Sequence, residues 1–362
     1  MTTTSLGLPA VPPRREDRGG QAMQTLPTGP LVDSHGRVAT DLRVSLTDRC
    51  NLRCAYCMPA EGLPWSATAQ LLQPGEIVRL LGIAVTRLGI TKVRFTGGEP
   101  LLAKALDEII AATAALRPRP HIALTTNGVL LAQRAEALAR AGLNRVNVSL
   151  DSVNQQHFAA ITRRDRLADV LAGLAAAATA GLRPVKVNAV LDPLTGLADA
   201  VSLVAFCLGH DYQLRIIERM PLDAGHQWRR DAAVTADQVL ALLRRQSFTL
   251  ELDNAPRGSA PAQLWRITDP ATGRAGTVGF IASVSHPFCA RCNRVRLTSD
   301  GQLRSCLFAT EETDLRGLLR GGAGDSEIEL AWRAAMWSKP AGHGINDPHF
   351  VQPARPMSAI GG

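Results

Sequence analysis

Aromatic residues are scarce in this chain of 362 residues: Phe, Trp and Tyr together make up 4%, with 2 tyrosines in all. The basic residues, 40 Lys and Arg against 32 acids for a net charge of +8, are scattered and not interleaved with aromatic rings. A stacking groove for single-stranded nucleic acid needs both on one face, so no nucleic-acid partner is expected. A long apolar run is missing too. The stretch Leu167 to Leu182 contains Asp169 and falls short of the roughly 18 apolar residues that read as a membrane span, so no membrane partner is expected either. The first residues, with Pro9, Pro12, Pro13, Arg14 and Arg15, lack the charged start and apolar core of a secretion signal, and a cytoplasmic protein is expected. Cysteines are too few and too clustered for a disulfide framework. Of 7, six fall in two tight triplets and only Cys207 stands apart, which fits metal binding in a reducing compartment. With nucleic acid and membrane set aside, the positive charge points to a small phosphorylated ligand.

Six short runs rich in Val, Ile and Leu alternate with helical patterns from Asp41 onward, and strands are predicted at 41 to 47, 92 to 96, 121 to 126, 145 to 150, 185 to 191 and 213 to 218. Between them, Ile77, Leu80, Leu81, Ala84 and Leu88 follow the helical period, as do Leu106, Ile109, Ile110 and Thr113. Further helices are predicted at 132 to 141, 167 to 180, 197 to 208 and 235 to 245, with Gly89, Gly142, Gly181 and Gly209 as C-caps. Strands each followed by a helix imply a parallel sheet with right-handed crossovers. Six such units leave a TIM-type barrel open on one side, and the chemistry of such folds gathers at the C-terminal strand ends. The fold expected is α/β: an incomplete (β/α)6 TIM-type barrel with a C-terminal module. Residues 1–37 read as a mobile extension, 38–253 as the partial barrel, 254–340 as a module and 341–362 as a tail.

The first predicted strand runs into Cys50, Cys54 and Cys57, spaced Cys-x3-Cys-x2-Cys. Iron–sulfur cubanes normally take four thiolates, so three on one loop leave an iron with an open position. A zinc knuckle completed by a distant histidine is the alternative. Cys289, Cys292 and Cys306 form a second triplet, which reads either as another three-thiolate cluster or as a zinc site completed by His286. Arg294 and Arg296, two apart, share one face of an extended segment and suit phosphate oxygens. The other strand ends carry Thr96-Gly97-Gly98-Glu99-Pro100, Thr125-Thr126-Asn127-Gly128 and Ser149-Leu150-Asp151. Lys186, Asn188 and Glu218-Arg219-Met220 extend the set. Fully buried parallel strands are normally apolar throughout, so this recurring polarity points to a shared pocket.

The cysteine loop with Tyr56 before its last cysteine, and the Gly-Gly-Glu-Pro turn one unit later, resemble the radical S-adenosylmethionine (SAM) superfamily. Asp41-Leu42-Arg43-Val44-Ser45-Leu46-Thr47-Asp48-Arg49-Cys50, Lys186-Val187-Asn188, Phe288 to Arg296 and the closing Ile360-Gly361-Gly362 narrow the resemblance. They match its GTP-cyclising branch, which opens molybdenum cofactor biosynthesis. The match spans residues 38 to 362. It implies two [4Fe-4S] clusters, on Cys50, Cys54 and Cys57 and on Cys289, Cys292 and Cys306, and SAM as cofactor, lined by Tyr56, Gly98, Ser149 and Met220. Arg43, Arg94, Thr125, Lys186, Arg294 and Arg296 are implied as GTP contacts, with Lys92 a further one, and Gly361 and Gly362 as a catalytic tail entering the active site. Implied partners are GTP, a low-potential electron donor protein and, through the product, the next pathway enzyme, cyclic pyranopterin monophosphate synthase. The chain is expected as a monomer or homodimer. Ala103 departs from the Arg common in relatives, and whatever that Arg contacts is expected to be lost or passed to Lys104. A radical SAM peptide maturase is the alternative enzyme, and an iron–sulfur electron carrier or zinc-stabilised binding protein the alternative outside enzymes. The maturases usually carry more C-terminal cysteines.

Overall fold

The computed structural model describes residues 26–361. Six βα units open the fold. They comprise β1 (Asp41–Ser45), α1 (Pro74–Thr86), β2 (Lys92–Thr96), α2 (Leu106–Ala115), β3 (His121–Thr126), α3 (Leu131–Ala141), β4 (Arg145–Ser149), α4 (Gln155–Thr162), α5 (Leu167–Thr179), β5 (Lys186–Val190), α6 (Gly196–Gly209) and β6 (Gln213–Ile217). The second part adds α7 (Ala236–Arg245), β7 (Thr249–Leu252), β8 (Gln263–Thr268), β9 (Ala275–Ile281), β10 (Arg294–Leu297), β11 (Gln302–Arg304) and β12 (Thr313–Asp314). α8 (Leu315–Arg320), α9 (Asp325–Trp337) and α10 (Met357–Ile360) follow. The six expected strands are all present. α4 is an addition to the expected helices, started by Asn154, whose side chain accepts from the amides of Gln156 and His157. Of the expected glycine caps, Gly142 holds the left-handed position after α3, whereas α6 runs through Gly209 and ends at His210.

The C-terminal part does more than cover the open side, because the sheet runs β12-β11-β10-β1-β2-β3-β4-β5-β6-β9-β8-β7. β10 pairs in parallel with β1 and β9 in parallel with β6, so eight parallel strands form the curved core. The second triplet is therefore fixed at the edge of the strand that leads into the first.

Side-chain alternation explains how a parallel sheet accommodates so much charge. Leu42, Val44, Val93, Phe95, Val146, Val148, Val187 and Leu214 are buried in the main core. The residues between them, Arg43, Arg94, Asn147, Lys186 and Arg215, alternate with these and so take the opposite, inner face. Cross-strand register keeps the layers aligned: Arg43 pairs with Arg94 and Arg296, Asp41 with Lys92 and Arg294, and Asn188 with Arg215. The expected polarity at strand ends is thus part of a polar inner face that reaches down to Lys92, Arg145 and Lys186, each at the start of its strand.

Residues 26–37 correct the expected extension. Leu31 and Asp33 are 1% exposed. Asp33 accepts from Arg37 Nε at 2.6 Å, and the same guanidinium donates to the carbonyls of Cys289 (2.9 Å), Ala341 (2.8 Å) and Pro340 (2.7 Å). This segment therefore clamps the second cysteine loop. Residues 1–25 of the expected extension lie outside the described residues. Among the described residues, no helix is long and apolar enough to cross a membrane.

Candidate active site

One cavity is lined by all six triplet cysteines, Cys50, Cys54, Cys57, Cys289, Cys292 and Cys306, together with Arg43, Tyr56, Gly98, Thr125, Ser149, Met220, Arg294 and Arg296. The first triplet is held by the turn after β2. The amides of Gly98 and Glu99 donate to the carbonyls of Thr47 and Arg49, both at 2.7 Å. A Cβ on Gly98 would lie 2.4 Å from the Arg49 carbonyl oxygen, so only glycine permits this contact. The Glu99 carboxylate accepts from Thr126 Oγ1 (2.6 Å) and the amides of Asn127 (2.7 Å) and Leu101 (3.0 Å), while burial pushes its pKa up to about 7. Asn127 Nδ2 donates to Asn51 Oδ1 at 2.7 Å and approaches Cys50 Sγ at 3.8 Å. Tyr56 donates its hydroxyl to Asp151 Oδ2 at 2.8 Å, and Asp151 also accepts from the Val190 amide. The turn, β3 and β4 thus fix the loop from three directions.

Burial pushes the thiols of Cys50, Cys54 and Cys57 up, the last to about 12. Left free they stay protonated, and metal ligation releases those protons. The second triplet sits in a more cationic setting. Cys292 Sγ accepts from Arg294 Nη2 at 3.2 Å and from Lys339 Nζ at 3.6 Å, and although burial opposes it, these two cations bring the thiol down to about 7. Cys306 lies in a loop closed by buried Arg304, which pairs with Glu312 and donates to the Ala309 carbonyl. Among the described residues no group of three or more His, Cys, Asp or Glu closes around a single metal ion. His286, the expected zinc ligand, turns its ring outward to Asp237 at 3.4 Å, with both side chains exposed. The triplets are open-sided sets of soft donors facing a common space, which fits iron–sulfur clusters with a free position.

Arg94 and Lys186 are not among the residues that line this cavity; Lys186 is part-buried at the start of β5. Burial, then Arg215, Arg145 and Arg94, drive Lys186 down to about 7. Burial pushes Asp41 up, but Arg94, Arg43, Arg294 and Lys92 outweigh it and hold its carboxyl low. The buried Nε atoms of Arg43, Arg94, Arg145 and Arg294 make no hydrogen bond to the protein. Buried donors without acceptors are costly, so this group is suited to a polyanion. Arg145 and Arg215 were missed by the sequence reading, although both stand in phase with the inward residues of their strands.

The tail reaches the same place. Ser358 is hydrogen-bonded to Cys57, and Arg296 donates to the Gly361 carbonyl. Gly361 has φ of 90°, and a Cβ there would meet Thr96 Cγ2 at 2.9 Å and Ser45 Cβ at 3.0 Å. Gly362 lies outside the described residues. Lys104 is exposed, while Arg134 donates to the Leu101 carbonyl at 2.7 Å, so the turn near Ala103 is braced from α3.

Comparison with known proteins agrees with this arrangement. The Radical SAM superfamily model matches residues 44–207 and the Molybdenum Cofactor Synthesis C model residues 212–345. The GTP 3',8-cyclase of Mycolicibacterium smegmatis is 68% identical over the full length of both chains, and GTP 3',8-cyclase 2 of Mycobacterium bovis is 69% identical over the full length of both. The chain belongs to the GTP 3′,8-cyclase family of radical SAM enzymes. Membership implies a [4Fe-4S] cluster and SAM, and Cys50, Cys54 and Cys57 are thiols that could hold the cluster. The second family match begins at Tyr212, just before β6, the strand that pairs in parallel with β9. In fold, the chain is similar to Streptococcus suis SuiB bound to S-adenosylmethionine, with a TM-score of 0.59 at 14% identity, covering 84% of this chain and 67% of that one.

Proposed function

We propose that the chain converts GTP to (8S)-3′,8-cyclo-7,8-dihydroguanosine 5′-triphosphate, the first step of molybdenum cofactor biosynthesis. The observation that carries this reading is a single cavity lined by both cysteine triplets and by Arg43 and Arg294, whose buried Nε atoms make no hydrogen bond to the protein. Loaded with its cluster and SAM, the first triplet would supply a 5′-deoxyadenosyl radical able to take a hydrogen atom from the ribose.

The residues of this chain bind and orient. Tyr56, Gly98, Ser149 and Met220 line the part of the cavity suited to SAM, with Asp151 fixing the Tyr56 ring. Cys289, Cys292 and Cys306 would hold a second [4Fe-4S] cluster with a position open to the guanine. Arg43, Arg94, Thr125, Lys186, Arg294 and Arg296, joined by Lys92, Arg145 and Arg215, are suited to the triphosphate. Guanidinium forks match its oxygens bidentately, and holding the nucleotide at both ends restricts which ribose C–H can be attacked. The tail covers this space, and Gly361 lets its backbone pass between Ser45 and Thr96, which helps exclude water. The reading also implies a low-potential electron donor protein and hand-over of product to the next enzyme of the pathway.

Anaerobically reconstituted protein given SAM, a reductant and GTP is expected to form the cyclised nucleotide together with 5′-deoxyadenosine. Cys306→Ser is expected to retain reductive SAM cleavage and lose cyclisation by at least about 100-fold, as for removal of an interaction on which substrate positioning depends. Normal cyclisation by this variant, or none by the unaltered protein, contradicts the proposal.

A further inference from the structure

Among the described residues Lys339 is the only lysine in the buried polar set, at 2% exposure, and it lies just past α9, far in sequence from either cysteine loop. Its ammonium donates to the Arg294 carbonyl at 2.7 Å and to the Cys292 carbonyl at 3.4 Å, and it reaches Cys292 Sγ at 3.6 Å. Arg294 donates to the same sulfur from the cavity side at 3.2 Å. Cys292 is thus held between two cations, one in the cavity and one behind the loop. The next two residues of the chain, Pro340 and Ala341, give their carbonyls to Arg37, which also binds the Cys289 carbonyl. Lys339 and Arg37 therefore tie a single strap, residues 339–341, across the outer side of the second triplet.

We propose that Lys339 is a positioning residue for the second cluster, fixing the Cys292 thiolate and raising the cluster's reduction potential. The physical basis is that a hydrogen bond or fixed positive charge at a ligating sulfur stabilises the more negative, reduced cluster, and such outer contacts orient the ligand as well. Arg294 faces the cavity and is committed to the nucleotide in the reading above, so its charge is shared with substrate. Lys339 has no access to the cavity wall, and its effect on the cluster is independent of GTP.

The inference rests on Cys289, Cys292 and Cys306 being cluster ligands, and the test separates the two ideas. In full-length protein with Cys50, Cys54 and Cys57 replaced by Ala, only the second cluster can be reconstituted. Iron content and a redox titration followed by electron paramagnetic resonance are measured with Lys339 intact, with Lys339→Gln and with Lys339→Met. Gln is one bond shorter but keeps a hydrogen-bond donor on the same side, and it carries no charge. The expected result is a more negative midpoint potential in both variants, with the larger shift in Lys339→Met, and no change in the difference on adding GTP. If Lys339→Met loses its cluster, Lys339→Gln alone decides. A cluster of unchanged midpoint in Lys339→Gln overturns the role of Lys339. Absence of any cluster when Lys339 is intact overturns the ligand assignment itself, and the proposal with it.

Discussion

Lys186 shows what a cationic interior does to one residue. It is half-buried among Arg215, Arg145 and Arg94, and its pKa falls to about 7. The unfolded chain binds more protons at this group than the folded one between about pH 7 and the ordinary lysine value, so its contribution makes stability rise with pH across that window. A triphosphate reverses the balance by favouring the charged form. GTP binding at pH 8 is expected to take up as much as about one proton, seen by calorimetry in buffers of different ionisation heat, and Lys186→Met should remove most of that uptake. Equal uptake by the variant contradicts the assignment of Lys186 to the phosphate site. Burial also pushes the neighbouring guanidiniums down, Arg215 to about 9 and Arg145 to about 10, but less far than Lys186, so at pH 8 they contribute attraction with little proton exchange.

At the level of elements, the tail is a short helix, α10, followed by a glycine that no other residue replaces without strain. Gly361→Ala places a side chain at positive φ and against Thr96 and Ser45. A residue forced into such a conformation costs about 1–3 kcal/mol, so seating of the tail and cyclisation should fall by roughly 5- to 150-fold. Iron content should stay unchanged, and unchanged turnover contradicts a role for the seated tail. The strands that frame this site were legible in the sequence because their outward residues are strongly apolar and their ends carry recognisable turns. Less legible was the inner face: Arg145 and Arg215 stand in alternation with core residues, but neither lies at the C-terminal strand ends where the polar residues cluster in sequence. The parallel pairing of β10 with β1 joins residues more than 250 apart in sequence, Asp41 with Arg294 among them, and short-range patterns carry no information about such pairing. The packing of residues 26–37 was hidden for a similar reason. Leu31 finds a partner in Leu88, just after α1, and Arg37 finds partners in the second cysteine loop and after α9, all distant in sequence.

Across the whole molecule, the second part of the chain supplies both flanks of the barrel. β10 brings Arg294 and Arg296 beside β1, and β9 closes against β6, so the loop holding Cys289 and Cys292 is fixed relative to the loop holding Cys50, Cys54 and Cys57. In the function proposed above, that shared framework would let radical formation and nucleotide binding occur in one space. The account's central claim is that the radical formed at the first triplet acts directly on the ribose of GTP bound towards the second. GTP carrying deuterium at C3′ tests it most directly, with mass spectrometry of the 5′-deoxyadenosine formed in a single anaerobic turnover. The account predicts deuterium in the 5′-deoxyadenosine and its loss from the cyclised nucleotide, whereas unlabelled 5′-deoxyadenosine beside fully labelled product would contradict it.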